Sequence, residues 1–231
     1  SLTGNKGFAF IYKKDNNDDW SCTHTLLASN VGIDHHFGYS VSITDQYAIV
    51  GTRLFNSGNA TDFANAYIFE LNNNTNDWGQ VNDIDSNYRK ETTILISSDS
   101  NDDSYDINLM DDAIKDWSRL GSSVSISGNY AVVGSVNNES SKGAIYLFKR
   151  IRNSRNWVQI SKFTPDNIST NDQFGCAVSI HNDYIIAGTY SMNSGKGGMY
   201  ILNNYLTVLE NGILKLVDPD NHIAGDIVQY N

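Results

Sequence analysis

The stretch FGYSVSITDQYAIVG, residues 37–51, decides the fold because the chain contains close copies of it twice more. The copies are LGSSVSISGNYAVVG at 120–134 and FGCAVSIHNDYIIAG at 174–188. Each begins with an alternating run, passes through a triplet rich in Asp, Asn or Gly, and ends in a continuously apolar run. These segments are typical of a half-buried strand, a turn and a strand covered on both faces. The phrase therefore predicts a β-hairpin that occurs three times.

Two further strands are predicted in each copy of the repeat. The third carries an aromatic residue at its fourth position and reads GFAFIY, ANAYIF, GAIYLF and GGMYIL at residues 7–12, 64–69, 143–148 and 197–202. The fourth opens on Trp20, Trp78 or Trp157, and a last copy, ILKLVDPDN, lacks the tryptophan. A period of about fifty residues with four short strands is typical of a propeller blade, whose two apolar faces are buried by neighbouring blades. The sequence predicts an all-β fold, a β-propeller of four-stranded antiparallel blades.

The repeat divides residues 1–231 into three full blades with partial blades at both ends, as a single propeller or part of one. The predicted segments are a partial blade at 1–36, full blades at 37–119, 120–173 and 174–227, and the start of a further blade at 228–231. The first full blade is longer because it carries insertions at 81–91 and 100–119. Either the chain is a fragment of a longer array, which we favour, or its ends meet in a small ring.

The repeated phrase, with YAIVGT and NAYIF, resembles the FG-GAP repeat of integrin-alpha-type β-propellers. The residues that define the repeat are Phe37, Gly38, Gly51, Leu120, Gly121, Gly134, Phe174, Gly175, Gly188, Trp20, Trp78 and Trp157. Leucine replaces phenylalanine in the second copy, and neither the Ala nor the Pro of the GAP corner is kept. The resemblance implies the propeller fold and an extracellular or cell-surface location. It does not select one function, because such propellers serve many.

Composition excludes some classes of partner. The formal net charge is −10 and the pI is about 4.7, which opposes binding to a nucleic-acid backbone or an anionic membrane surface. No stretch of the sequence is apolar for the roughly eighteen residues that a membrane-spanning helix needs. We therefore expect no nucleic-acid partner and no membrane insertion in this segment.

The resemblance also directs attention to Ca²⁺, because integrin-type repeats have loops in which Asp and Asn alternate. Two segments show this alternation, Asp15, Asn17 and Asp19 in the first, and Asp99, Asn101 and Asp103 in the second. Neither has the turn glycine or the closing acid that complete such a loop. Ca²⁺ at these residues is the only cofactor that the sequence suggests.

Four Asn-x-Ser/Thr triplets are candidates for N-glycosylation. They begin at Asn59, Asn73, Asn138 and Asn167. A chain rich in Asn, Ser and Thr contains about this many by chance, so the triplets are compatible with a secreted glycoprotein without indicating one.

No nucleophile, zinc or phosphate-loop motif occurs in the sequence. We therefore expect a non-enzymatic extracellular or surface module for protein binding, adhesion or structural assembly. Its partners would be a protein or glycan ligand, or further copies or blades of the same array, bound at one rim and at the insertion 100–119. The alternatives are a lectin-like carbohydrate-binding propeller, with exposed aromatic residues between blades, and a catalytic propeller with a site in its axial channel.

Overall fold

A computed structural model describes residues 6–32, 35–53, 65–81, 89–95, 119–203, 206–210, 213–217 and 228–230 of the protein. Its regular structure is nearly all β-strand, and most strands lie in four-stranded sheets. Buried side chains pack between successive sheets, as they do between the blades of a propeller. The predicted all-β fold of propeller blades is confirmed.

The chain begins with a half blade, which consists of β1 (Ala9–Lys14) and β2 (Trp20–Leu26) in antiparallel pairing. In the repeat these strands are the third and fourth strands of a blade. Ala9 and Ile11 point into the protein, and the side chains that alternate with them are exposed. One face of the half blade is therefore packed and the other is open.

Blade 1 starts with β3 (Ser40–Ile43), β4 (Tyr47–Gly51) and β5 (Ala66–Asn72), each antiparallel to the next. The second of these strands is buried at every position, as its continuously apolar sequence predicts. β6 (Asp77–Trp78) then pairs with the end of β5 and opens the fourth strand.

The chain next leaves blade 1 in an excursion that we call the strap. It departs at Gly79, where φ is +67° and a Cβ atom would lie 2.3 Å from the carbonyl oxygen of Lys90, so only glycine fits there. The strap consists of β7 (Gln80–Val81) and β8 (Arg89–Lys90), which pair with each other. β8 also runs parallel to β2, which gives a four-stranded sheet in the order β1-β2-β8-β7. The extra residues of blade 1 thus extend the sheet of the half blade.

The fourth strand of blade 1 resumes at β9 (Thr93–Leu95), which pairs with the first half of β5. One strand position is therefore filled by two separate segments of the chain. The second predicted insertion, 100–119, lies outside the described residues except for Arg119.

Blade 2 has four uninterrupted strands. They are β10 (Leu120–Ser127), β11 (Tyr130–Ser135), β12 (Ala144–Arg150) and β13 (Trp157–Phe163), in that spatial order. A one-turn element, α1 (Asn138–Ser141), connects the second and third strands, and its two middle residues have left-handed backbone angles.

Blade 3 repeats this arrangement with β14 (Val178–His181), β15 (Tyr184–Thr189) and, after the one-turn α2 (Met192–Gly195), β16 (Gly198–Asn203). Each strand is antiparallel to the one before it.

The end of blade 3 differs from the sequence-based expectation. The segment ILKLV contributes β18 (Ile213–Val217), which pairs with β17 (Leu206–Glu210) and not with blade 3. Instead β19 (Val228–Tyr230), predicted to start a further blade, pairs with β16 as the fourth strand. The reason lies in the Asn-Gly pair between β17 and β18, because this dipeptide favours a tight hairpin whose closure costs little entropy. The free edge of β16 is then paired by the later segment.

The hydrophobic core lies between the blades in three clusters. One joins the half blade to blade 1, the second joins blade 1 to blade 2, and the third joins blade 2 to blade 3. The strand β4 shows how one strand serves two interfaces, since Ala48 and Val50 face the half blade while Tyr47 and Ile49 face blade 2. Blades 1 and 2 therefore each have one face packed against the preceding blade and one packed against the following blade.

Candidate functional site

The Phe-Gly pairs that define the repeat connect one blade to the next. The backbone N–H of Phe37 donates to the carbonyl of Lys6 over 2.9 Å, and that of Phe174 donates to the carbonyl of Lys142 over 2.8 Å. Both phenylalanine rings are buried. Gly51 and Gly134, at the ends of the second strands of blades 1 and 2, lie against the Leu-Gly or Phe-Gly turn of the next blade, and a Cβ atom on either would lie 2.1 Å from a carbonyl oxygen there. These residues therefore set the spacing between blades.

Serine side chains of the first strands make further bonds between blades. Ser40 Oγ donates to the carbonyl of Gly121 over 2.8 Å, and Ser123 Oγ donates to the carbonyl of Gly175 over 2.7 Å. Two residues further along the same strand as Ser123, Ser125 Oγ accepts a hydrogen bond from the backbone N–H of Ile180 in the next blade over 3.0 Å. The hydroxyl groups of the innermost strands are thus used to hold neighbouring backbones.

A tyrosine–asparagine hydrogen bond between blades is not predicted by the sequence analysis above. Tyr67 Oη donates to Asn30 Oδ1, and Tyr200 Oη donates to Asn167 Oδ1, each over 2.9 Å. Burial raises the pKa of both phenols, so they remain neutral donors at physiological pH. The signal was present, because both asparagines stand ten residues after the tryptophan of their fourth strand.

The glycosylation candidates have very different surroundings. Asn138 is buried, and its Nδ2 atom, which would carry the glycan, donates to Tyr146 Oη over 3.0 Å. Asn73 is exposed beside the turn between β5 and β6, and Asn167 is exposed although its Oδ1 atom accepts the tyrosine bond. Asn59 lies outside the described residues.

The Asp15, Asn17 and Asp19 segment forms the turn between β1 and β2. Asp15 Oδ1 accepts hydrogen bonds from the backbone N–H groups of Asn17 and Asp19, over 2.8 and 3.0 Å. This carboxylate therefore stabilises its own turn, as Asp commonly does. Within the described parts of the chain, no three His, Cys, Asp or Glu residues are grouped so that they could hold a metal ion. Asp99, Asn101 and Asp103 are not among the described residues.

Among the described residues, seven of the eleven large apolar side chains that are exposed lie on the two outer faces of the blade stack. We call the first of these the N-face, which is the side of the half blade and blade 1 that looks away from blade 2. It comprises Phe10, Tyr12, Trp20, Val41 and Ile43. Val41 is 62% exposed, whereas its repeat counterpart Val124 in blade 2 is 7% exposed because blade 1 covers it.

The second outer face, the C-face, is the side of blade 3 that looks away from blade 2. It comprises Tyr184 and Ile186 on β15, both of which are exposed. The same repeat positions in blade 1 are Tyr47 and Ile49, and both are buried against blade 2. Contiguous exposed side chains of this kind mark interaction surfaces more often than single ones do.

A polar cleft of about 520 Å³ lies at the outer side of blade 1. Glu70 stands in it and pairs with Arg150 over 3.2 Å and with Arg155 over 3.5 Å. Asparagine and glutamine side chains from the β5–β6 turn and the strap complete the lining. The ion pairs of Glu70 with Arg150 and Arg155 connect blade 1 to blade 2 at this cleft.

No described helix is long and apolar enough to cross a membrane.

Comparisons with known proteins follow the same repeat. The FG-GAP repeat family matches the chain at residues 20–69, 115–148 and 157–202, which together make up more than half of it. A search of curated proteins found no match. A similar solved structure is a mutant GH32 beta-fructofuranosidase of Bombyx mori in complex with sucrose, with 14% identity and a TM-score of 0.36. The likeness covers 81% of this chain and 38% of that enzyme, and at this TM-score it carries no argument about function.

Proposed function

Because the chain belongs to the FG-GAP repeat family, we propose that it is a non-enzymatic module that binds proteins, in adhesion or structural assembly, outside the cell or on its surface. The observation that carries this proposal is the pair of exposed apolar faces, the N-face and the C-face. Both consist of side chains whose repeat counterparts are buried between blades elsewhere in the same chain. Such side chains suit packing against another protein surface.

The non-enzymatic part of the proposal is supported by the first strands of the blades, where a channel site would lie. Ser40, Ser123 and Ser125 could supply hydroxyl groups, but each already bonds to the backbone of the next blade. A serine nucleophile passes its hydroxyl proton to a general base within hydrogen-bond reach, whereas Ser40 and Ser123 donate theirs to backbone carbonyls of the next blade. These serines have a structural role instead.

A lectin-like function is the second candidate, and the exposed rings of Tyr12, Trp20 and Tyr184 favour it, since aromatic rings stack on sugars as well as on proteins. In this chain, however, each of the three rings has a repeat counterpart that is an interblade contact. The rings therefore suit a protein surface that carries further apolar side chains.

The test is a binding measurement with protein and glycan probes in parallel. The chain is immobilised at low density and exposed to a panel of secreted and cell-surface proteins, and is then applied to a glycan array. We expect saturable binding to at least one protein, and a Trp20→Ser/Tyr184→Ser variant should weaken it about tenfold or more. The matched control is Ile151→Ser, which removes an exposed apolar side chain that belongs to neither face.

Binding to glycans that free sugar competes away would contradict the proposal and favour the lectin-like function. Protein binding that the double variant leaves unchanged would also contradict it, because the two faces would then have no part in recognition. Binding to none of the protein probes would do the same.

A further inference from the structure

We propose that the polar cleft at the outer side of blade 1 binds an acidic peptide segment of a partner protein, and that the guanidinium group of Arg155 receives its carboxylate. The cleft belongs to neither the N-face nor the C-face, so this inference goes beyond the proposed function, which rests on those faces. It follows from the way in which the cleft is built, from its charges and from the hydrogen-bonding groups that line it.

The strap shapes one side of the cleft. The chain leaves blade 1 at Gly79 and returns at Thr92, and both residues line the cleft. They also hold the backbone of Glu70, whose carbonyl accepts a hydrogen bond from the N–H of Gly79 over 2.8 Å and whose N–H donates to Thr92 Oγ1 over 3.0 Å. The position of the carboxylate is therefore set by both ends of the strap.

Blade 2 contributes the opposite side through Arg155, which lies in the turn between β12 and β13. A hydrogen bond from the N–H of Ile151 to the carbonyl of Asn156, over 2.9 Å, closes this turn. Thr93 Oγ1 of blade 1 donates to the carbonyl of Arg155, also over 2.9 Å. The two sides are thus joined before a ligand arrives, which lowers the cost of binding. The volume of about 520 Å³ lies within the range of roughly 300–1,000 Å³ that is typical of ligand sites.

The charged groups at the cleft leave one positive charge unbalanced. Glu70 Oε1 accepts a hydrogen bond from Arg150 over 3.2 Å, and Glu70 Oε2 lies 3.5 Å from Arg155 Nε. Two guanidinium groups therefore share one carboxylate, in a chain whose net charge is −10. A cationic ligand would meet two positive charges and a carboxylate with both oxygens engaged, whereas a ligand carboxylate supplies the missing negative charge.

Arg155 is the group that can reach a ligand. Its side chain is 68% exposed, and its Nε atom is the one that lies toward Glu70. Within the described parts of the chain, its two Nη atoms make no hydrogen bond. A guanidinium group binds a carboxylate through two parallel N–H···O hydrogen bonds, which are stronger than those between neutral groups.

Side-chain amides surround this guanidinium group and favour a peptide as the ligand. Asn72, Asn73, Asn74 and Gln80 line the cleft. Asn72 Oδ1 accepts from the backbone N–H of Asn74 over 3.0 Å, and the side-chain amides of the other three make no hydrogen bond to any described residue. Each amide presents a donor beside an acceptor, as a peptide group does. No aromatic ring, on which a sugar would stack, lines the described cleft.

The experiment is an NMR titration of the whole ¹⁵N-labelled chain. The probes are the blocked peptide acetyl-Gly-Glu-Glu-Gly-amide and its neutral match acetyl-Gly-Gln-Gln-Gly-amide. The acidic peptide should shift the Nε–H signal of Arg155 and the side-chain amide signals of Gln80 until they saturate, and the neutral peptide should bind about fivefold more weakly or less. Raising the salt concentration from about 0.05 M to about 0.5 M should weaken the acidic peptide, because the guanidinium group is exposed.

Three variants locate the contact. Arg155→Gln should weaken binding of the acidic peptide about fivefold or more. The matched control is Arg152→Gln, which removes an exposed arginine of the same turn that does not line the cleft, and it should change the affinity less than about twofold. Glu70→Gln should strengthen binding several-fold, since it releases Arg155 from its ion pair. Circular dichroism and the thermal midpoint check that each variant is folded.

Several results would overturn the inference. Signals that do not shift with the acidic peptide up to about ten millimolar would do so, and so would equal affinities for the two peptides. An equal loss in Arg152→Gln and Arg155→Gln would show attraction to surface charge in general. Loss of binding in folded Glu70→Gln would show that the ligand contacts the carboxylate instead. Glucuronate and phosphate are titrated in parallel, and tighter binding of either than of the acidic peptide would assign the cleft to another ligand. None of these results bears on the N-face or the C-face, so the proposed function would stand.

Discussion

Gly134 and Gly188 occupy the same position of the repeat but have different neighbours. A Cβ atom on Gly134 would lie 2.1 Å from the carbonyl oxygen of Gly175, whereas on Gly188 the nearest atom is Cys176 Sγ at 3.6 Å. Only the first position has a described blade packed against it. The requirement for glycine therefore comes from the next blade and not from the hairpin itself.

This difference predicts unequal effects of one substitution. Gly134→Ala should destabilise the protein by about 1–3 kcal/mol or more, since the backbones of two blades must separate to admit a methyl group. Gly188→Ala should change the free energy of unfolding by less than about 0.5 kcal/mol, because its contact is an ordinary one. Urea unfolding of the two variants measures both. Equal losses would show that the spacing between blades does not depend on this contact.

At the residue scale the sequence predicts positions better than partners. The aromatic fourth position of the third strand is buried at Tyr67, Tyr146 and Tyr200 but exposed at Phe10, which no described blade covers. Their hydrogen-bond partners could not be read from spacing alone, because Tyr146 bonds to Asn138 of its own blade while the other two reach the preceding blade. For the same reason the sequence does not distinguish the triplet that begins at the buried Asn138 from a triplet on the surface.

The strap is the element that joins the half blade to blade 1 outside the hydrophobic core. Arg89 in β8 pairs with Asp77 in β6 over 2.7 Å, and His24 in β2 lies 3.4 Å from the same carboxylate. Desolvation alone would raise the pKa of Asp77, but hydrogen bonds from His24 and Thr75 and the charge of Arg89 outweigh it and lower the pKa. The carboxylate is therefore stabilised in its charged form.

A lowered pKa in the folded state makes the contribution of this carboxylate depend on pH. It is present above the ordinary value of 3.8 and is lost as pH falls through the lower folded value. Asp77→Asn should cost a few tenths to about 1 kcal/mol near neutral pH, since the site is partly exposed, and progressively less as pH falls below 3.8. Urea unfolding at several pH values measures the difference. Asp183→Asn, which removes the same charge from an exposed turn, is the control, and a cost for Asp77→Asn that stays constant with pH would contradict the assignment.

At the element scale the sequence predicts strands that repeat and misses pairings that cross between blades. The hairpins β3–β4, β10–β11 and β14–β15 follow from alternation and turn residues within fifteen positions. The parallel pairing of β8 with β2 joins segments that are about sixty residues apart, and no local pattern specifies it. The exchange of β18 for β19 in blade 3 has the same origin, because local hairpin formation competes with pairing to a distant edge.

At the scale of the whole molecule, the blades are not equally supported. Blade 2 has a packed cluster on each side, whereas blade 3 has one described neighbour. In a stack whose stability is a sum of blade and interface contributions, terminal units open more readily than central ones.

Hydrogen exchange should therefore vary along the stack. Backbone amides of β11 and β12 should exchange about tenfold or more slowly than those of β15 and β16, when the chain is dilute enough to be monomeric. Mass spectrometry of peptides that cover these strands gives the rates. Equal protection of blades 2 and 3 would mean that the outer face of blade 3 is covered in the monomer.

The central claim is that the N-face and the C-face expose side chains whose repeat counterparts are buried between blades. Hydroxyl-radical footprinting of the dilute chain tests it most directly, because it compares repeat counterparts within one sample. Trp20 should be modified several-fold faster than Trp157, and Tyr184 several-fold faster than Tyr47, in line with their exposures. Equal rates within both pairs in the dilute sample would contradict the account.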